Sequence, residues 1–391
     1  MEIPKVEIRS KKLIKPSIPT PTTLHHHKMG FKDEVVAAIN VRLILFYSIV
    51  GDGQNSTSKL PNWKTLQATV FDCGGLALGV SVSHKVADAA TLCIFLNDWA
   101  ALTREDIIID SVCPSFNSSV FLPPRGFMDY DRPLPRTLKR RFEKNYKNKR
   151  FSFSEKAISL IRAKTNSGRI YSRVQLVSAM IWKALIDVDQ EKLGHARALV
   201  LHQPVNLRGK TAPPIPNDAC GNLGGFIITQ CSIAQKSMGF ACLLDLLHDS
   251  IKKTVDDLGK LSSKSEEFQT FVFNSFVKSE TCGELVSVFP FISWCKFPFY
   301  EVDFGLRRPV WIASSAGPAS MVTLVDGQGG FGVDAYVNLE VEDMLNVCLT
   351  FLCLWSSEKN TEVILSCVTR VDYIISRTSY YVRELVCLKS S

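Results

Sequence analysis

His84 and Asp88 bracket the run His84-Lys85-Val86-Ala87-Asp88, and none of the other six histidines has an aspartate at that spacing. A neutral imidazole titrates close to physiological pH, so it can take the proton of an alcohol as that oxygen attacks an electrophile. The carboxylate four residues on can cap a helix, or it can reach a distant arginine and fix the shape of the loop. A satisfied histidine at a strand end beside a plain capping aspartate fits the same five residues. The spacing alone therefore leaves a catalytic and a structural reading open.

The neighbouring elements bear on that choice. Leu66–Phe71 reads as a short strand, and Asp72-Cys73-Gly74-Gly75 as a tight turn, because paired glycines accept positive φ. Leu76, Leu78, Val80 and Val82 then alternate with small residues, which predicts a half-buried strand. From Ala89 the period changes: Leu92, Phe95, Leu96, Trp99 and Leu102 predict a helix to about Thr103, with Asp88 at its N-cap. His84 thus falls at a strand-to-helix corner, where both elements hold it rigidly.

Along the rest of the chain, Val41–Tyr47 reads as a buried strand, residues 110–150 as a Pro-interrupted connection, and Phe153–Lys164 and Ser172–Leu185 as helices. Ala198–Val205 and Phe226–Ile233 read as strands around the loop Asn206–Gly225, followed by a helix at Phe240–Leu258. Strand and turn signals return at Pro290–Val302, Val310–Ser314, Met321–Val325 and Gly332–Leu339. The pattern is α/β, with mixed sheets in two halves dividing near residues 185–200.

Composition excludes several classes. With 46% hydrophobic and 21% charged residues over 391 positions, the chain can bury a large core without disulfide staples. The twelve cysteines show no CxxC pair and no zinc-ligand spacing, which reads as reduced, buried thiols of a cytoplasmic protein. His25-His26-His27 cannot all face one ion and reads as a solvated turn, so no metal is expected. The net charge of +8 has one dense cluster, Lys139-Arg140-Arg141 with Lys144, Lys147, Lys149 and Arg150, read as a solvated loop. No aromatic residues alternate with base-reading side chains, so nucleic acid is not an expected partner. The start Met-Glu-Ile-Pro lacks a basic-then-apolar signal, and the sequons at Asn55 and Asn117 are read as chance. Val35–Val50 is broken by Asn40 and Arg42, and Met344–Trp355 is too short to span a bilayer, so no membrane partner is expected.

A more specific signal comes from several stretches in order. Ser83-His84-Lys85-Val86-Ala87-Asp88 before an apolar helix resembles the HxxxD site of the plant BAHD acyl-CoA-dependent acyltransferases. Ser172-Arg173-Val174-Gln175-Leu176-Val177 with Ile181-Trp182-Lys183 resembles that family's helix before the domain crossover. Val205-Asn206-Leu207-Arg208, then Pro213-Pro214-Ile215-Pro216 and Gly221-Asn222, resembles its arginine-bearing strand and the loop on the acyl-CoA side. Ser293 to Gly305 is similar to the approach to its DFGWG motif, and Asp334 to Leu339 to its closing strand. The closest branch is the one that acylates alkaloid alcohols.

The resemblance implies a two-domain α/β fold, with mixed sheets flanked by helices and a channel between domains spanning residues 1–190 and 191–391. It implies transfer of an acyl group, acetyl above all, from acetyl-CoA or another acyl-CoA to a hydroxyl of a plant specialised metabolite. No permanently bound cofactor is needed, and a monomer is expected. His84 is then the general base, contributing about 10²–10⁴-fold. Asp88 is structural and pairs with Arg208, while Asp303 and Gly305 brace the channel. Lys210, Arg307 and Arg308 are candidates for the CoA phosphates by position.

Three departures stand against this. Leu45-Phe46-Tyr47 runs almost directly to Leu66, so a long family segment of the first domain is absent. The DFGWG motif reads Asp303-Phe304-Gly305-Leu306-Arg307, and a buried indole replaced by leucine costs several kcal/mol, about 3 or more. From about residue 344 the tail is Cys- and Val-rich and has no family counterpart. A degenerate, truncated or mis-spliced relative acting at most as a binding protein is the alternative. A condensation-type or carnitine-type lineage is a further one, although Ser83 stands where the condensation motif has its paired histidine.

Overall fold

The computed structural model describes residues 28–36, 39–48, 66–104, 114–126, 145–165, 168–194, 198–231, 239–280, 286–314 and 319–356. The tail beyond 356, the segment 49–65, His25-His26-His27, Asn55 and the first part of the basic run lie outside them.

Two sheets organise the chain. The smaller has the order β2-β3-β1-β8, with β1 Asn40–Tyr47, β2 Leu66–Val70, β3 Leu76–Ser83 and β8 Trp311–Ser314, all antiparallel. The larger has the order β4-β10-β9-β7-β5-β6. Its strands are β4 Tyr146–Phe153, β5 Ala198–Asn206, β6 Gly224–Cys231, β7 Val286–Ser293, β9 Met321–Asp326 and β10 Val333–Glu340. The pairs β5·β7 and β7·β9 are parallel and the outer pairs antiparallel, so the sheet is mixed, as expected. The small sheet draws β8 from the second half of the chain, and the large sheet draws β4 from the first. A cut at residue 190 therefore crosses both sheets.

The helices are α1 Phe31–Val35, α2 Ala89–Thr103, α3 Ser118–Phe121, α4 Glu155–Ala163, α5 Arg173–Leu193, α6 Phe240–Gly259, α7 Glu266–Glu280 and α8 Val341–Ser356. The helix expected at Ser172–Leu185 extends to Leu193. Ser172 caps it in a reciprocal pair with Gln175, and Gly194 ends it at positive φ. The expected start at Phe153 is corrected: Phe153 closes β4, and Ser154 caps α4. The basic run is corrected as well, because Lys147, Lys149 and Arg150 lie on β4, an edge strand of the large sheet. Lysines on an edge discourage pairing with foreign strands, so charge there marks an edge strand as readily as a loop. α7, not foreseen, buries Phe268 and Val272 completely.

β3 differs from the expected half-buried strand, since Leu76 to Ser81 are all buried. Its position between β1 and β2 and its small Ala77, Gly79 and Ser81 let both faces be covered. Its core includes Leu43, Leu45, Leu92, Leu96, Trp294 and Phe304, and reaches Val325 and Tyr336 of the large sheet. A second core packs α5 on the large sheet around Trp182 and Leu201. A third joins Phe31, Phe121, Leu207, Leu223 and Phe268 beneath the loop 207–223. β2 is left as an outer strand at the end of the small sheet, with Ala68 and Val70 exposed. Among the described residues no helix is long and apolar enough to cross a membrane.

Candidate active site

His84 follows the last residue of β3, and its main chain is held on both sides. Its N–H donates to Ile39 O (2.8 Å), and its carbonyl accepts from Asn222 Nδ2 (2.7 Å). The ring is half-buried, and Nδ1 makes no hydrogen bond to the described residues. That nitrogen is also closed to solvent, so it is not the one that a substrate meets.

Asp88 turns its carboxylate away from the histidine and into the protein. It caps α2 by accepting from Thr91 N (2.8 Å) and takes the Thr91 hydroxyl at 2.8 Å. Arg208, 4% exposed, meets it with two nitrogens, Nη1 to Oδ2 at 2.8 Å and Nη2 to Oδ1 at 3.2 Å. A fork-to-fork pair fixes orientation as well as distance. The three remaining guanidinium hydrogens are shared among four acceptors, Ala219 O (2.7 Å), Gly221 O (3.1 Å), Asn206 Oδ1 (3.1 Å) and Thr91 Oγ1 (3.2 Å). The loop from β5 to β6 is thereby tied to the cap of α2. Gly221 in that loop has φ +119, and a Cβ there would lie 2.5 Å from the Ser118 side chain of α3, so the close approach to α3 needs glycine.

Asp303 sits in the stretch after β7. Its Oδ1 accepts from Gly305 N (2.8 Å), and its carbonyl accepts from the Arg104 guanidinium at the end of α2. Gly305 needs its residue type, with φ +83. Phe304 meets Trp99 of α2 edge-on at 4.8 Å, and Tyr47 of β1 donates to Val302 O (3.0 Å). The whole stretch is thus clipped to α2 and the small sheet. Leu306 is only half-buried against that core, so the cavity cost expected for a buried indole site does not arise here.

The three candidate cations differ. Arg308 is exposed and paired with Glu301 (2.5 Å), and Arg307 is exposed at φ +68. Lys210, half-buried just past Arg208, faces Lys296. Burial first and the Lys296 charge second pull its pKa below the ordinary lysine value. Neither ammonium has a carboxylate partner among the described residues, an arrangement that an anion would complete. Lys296 lies in the stretch Ser293 to Gly305 that resembles the family, but nothing in the sequence marks it as facing Lys210. Its φ of +71, unusual for a lysine, and its N–H bond to Asp326 (2.8 Å) appear only in the fold. Asn222, Asp33 and Thr91 were also missed as members of the site, although Gly221-Asn222 formed part of the recognised loop. Among the described residues no cluster of His, Cys, Asp and Glu could hold a metal ion.

Comparison with known proteins follows the same residues. Positions 54–348 match the model of the Transferase family. Stemmadenine O-acetyltransferase of Catharanthus roseus is 27% identical over 438 aligned positions, covering 91% of this chain and 99% of the relative. Those positions outnumber the 391 residues here, so the relative carries residues without a counterpart in this chain. Vinorine synthase of Rauvolfia serpentina is 33% identical over 304 positions, covering 75% of this chain and 66% of the relative. The crystal structure of vinorine synthase superposes with a TM-score of 0.72 at 25% identity, covering 88% of this chain and 97% of that one. The chain belongs to the Transferase family, the BAHD acyltransferases, enzymes that pass an acyl group from an acyl-CoA co-substrate to a hydroxyl of a small-molecule acceptor.

Proposed function

We propose that this chain transfers an acetyl group from acetyl-CoA to an alcohol of a plant specialised metabolite, with an alkaloid as the acceptor class, and that His84 is the general base. The observation that carries the reading is the division of labour at the corner. Asp88 is committed to Arg208 and the cap of α2, while the half-buried His84 ring is held through its backbone on both sides and has its Nδ1 closed to solvent, which leaves Nε2 as the nitrogen for substrate. The acceptor class rests on the relatives, which include a stemmadenine acetyltransferase and vinorine synthase.

In this reading the imidazole takes the hydroxyl proton as the oxygen forms its bond to the thioester carbonyl. The tetrahedral adduct collapses by breaking the carbon–sulfur bond, and the imidazolium returns the proton to the leaving thiolate. Proton transfer contributes about 10²–10⁴-fold, and holding both substrates together about 7–11 kcal/mol. Asp88, Arg208, Asp303 and Gly305 shape the site without touching the reacting atoms. The halves 1–190 and 191–391 act as its two walls, the first giving His84 and the second Arg208 and Asp303. Lys210 and Lys296 receive CoA phosphates, which would relieve the repulsion between them.

The test is thiol release by the purified protein from acetyl-CoA, with a panel of alcohols that includes stemmadenine. Acceptor-dependent release is expected, with loss of about 10²-fold or more in His84→Ala. Release untouched by that change removes His84 from the mechanism. An inactive native chain that gains activity once a relative's segment is inserted between β1 and β2 establishes the degenerate form instead.

A further inference from the structure

We infer that Asp33 and Asn222 form a positioning relay that aims the catalytic imidazole through the His84 carbonyl, with the short helix α1 as its base. The inference rests on the reading of His84 as general base.

Asp33 is 1% exposed, and its carboxylate is satisfied by four donors. Oδ2 accepts from Gly30 N (2.7 Å) and Ser118 Oγ (3.2 Å), and Oδ1 accepts from Asn222 N (3.0 Å) and Asn222 Nδ2 (2.8 Å). Burying a carboxylate carries a desolvation cost that neutral donors offset only in part, so stability alone is a poor reason to keep it. Its effect on Asn222 is directional. A side-chain amide can present either its oxygen or its NH₂ group to a neighbour. Beside a carboxylate only the NH₂ end is tolerated, because the flipped amide would set oxygen against oxygen. With one Nδ2 hydrogen committed to Asp33, the other points at His84 O, 2.7 Å away. The carboxylate thus dictates which face of the amide meets the catalytic peptide.

The base of the relay is itself fixed. Phe31 of α1 is buried in the third core with Phe121, Leu223 and Phe268, and its N–H donates to Leu122 O (2.8 Å). Lys85, next to the histidine, reaches back to α1 by donating to Glu34 O (2.7 Å). The Asp88–Arg208 pair anchors the far end of the corner, whereas this relay holds the peptide that carries the imidazole.

The experiment measures kcat and the KM for acetyl-CoA in the thiol-release assay, using the acceptor with the highest turnover in the panel, with rates normalised to folded protein. Asn222→Asp is nearly isosteric and turns the donor facing His84 O into an acceptor. Asn222→Ala removes the donor without adding charge and keeps the test intact if the first variant does not fold. Ser118→Ala deletes a bond to the other oxygen of Asp33 and leaves Asn222 in place. A misaimed base lowers kcat by about 10–100-fold, with KM within about two-fold, in the Asn222 variants. Ser118→Ala is expected to stay within about two-fold in both. Native kcat in the Asn222 variants, or an equal deficit in Ser118→Ala, overturns the relay. His84→Ala run alongside separates the two readings. Activity surviving there sinks the base itself, whereas activity lost there but kept in the Asn222 variants sinks the relay alone.

Discussion

Removal of the Asp88 carboxylate tests how much of the corner depends on one buried ion pair. In Asp88→Ala, Arg208 keeps its bonds to Ala219, Gly221, Asn206 and Thr91 but loses its ion-pair partner among the described residues, with its side chain 2% exposed. Leaving a buried guanidinium uncompensated costs about 3–5 kcal/mol. The lost cap to Thr91 N adds about 1 kcal/mol. Asp88 itself is 19% exposed, so water can reach part of the wound, and the lower half of the summed range, about 4 kcal/mol, is the expected total. Asp88→Asn keeps the shape and the cap acceptor but turns an NH₂ toward Arg208 Nη1, and about 3 kcal/mol is expected. Arg208→Met with Asp88→Ala removes both charges. That double variant should be more stable than the two single losses predict, by a coupling of about 2–3 kcal/mol. Urea unfolding followed by tryptophan fluorescence reads the native protein, the three single variants and the double variant. A loss below about 1 kcal/mol in Asp88→Ala, or strict additivity across the cycle, would refute the claim that this pair is dehydrated and mutually dependent.

Two further outcomes are expected elsewhere. Arg307→Gly should raise the urea midpoint by the equivalent of about 1 kcal/mol, because an L side chain at φ +68 crowds the following carbonyl; a lowered midpoint would mean that the arginine makes a contact worth more than the strain. His202, pressed against Phe226 on β5, has its pKa lowered from 6.5 to about 4, by burial first and by Lys32 second. The unfolded imidazole binds a proton below 6.5 and the folded one does not until about 4, so stability is full above the higher value and drains as pH falls through the window, by about 3 kcal/mol. His202→Phe should flatten that slope in acid unfolding curves, and an unchanged slope would place the protonation elsewhere.

Local rules made much of the fold legible. The change of period at Ala89, the cap at Asp88 and the paired glycines before β3 each act within a few residues, and each appears where the sequence put it. What escaped depends on neighbours distant in the chain. β4 carries lysines because it lies at a sheet edge, and only the pairing with β10 makes it an edge. β3 loses its expected solvent face because β1 and β2 flank it and its small side chains admit cover.

The same division runs through the site. Asp88 as a helix cap is local and could be read directly, whereas its bond to Arg208 spans 120 positions and could be named only through the family pattern. Asn222 lies 138 positions from the carbonyl it holds, and Asp33 lies 189 from Asn222, so no spacing rule could join them. The departures from the family pattern fall on a different part of the structure. The segment expected to be absent would end at β2, on the outer side of the small sheet, and Leu306-Arg307 lies half-buried or exposed beyond the bond between Asp303 and Gly305. Neither enters the hydrogen-bond network of His84, Asp88, Arg208, Asn222 and Asp33. The altered positions therefore weigh on the stability of the small sheet, while the polar groups that set the imidazole are all present. A stabilised variant such as Arg307→Gly should accordingly gain active protein without any change in kcat per folded molecule, and a change in kcat itself would show that the loop after Gly305 reaches the chemistry.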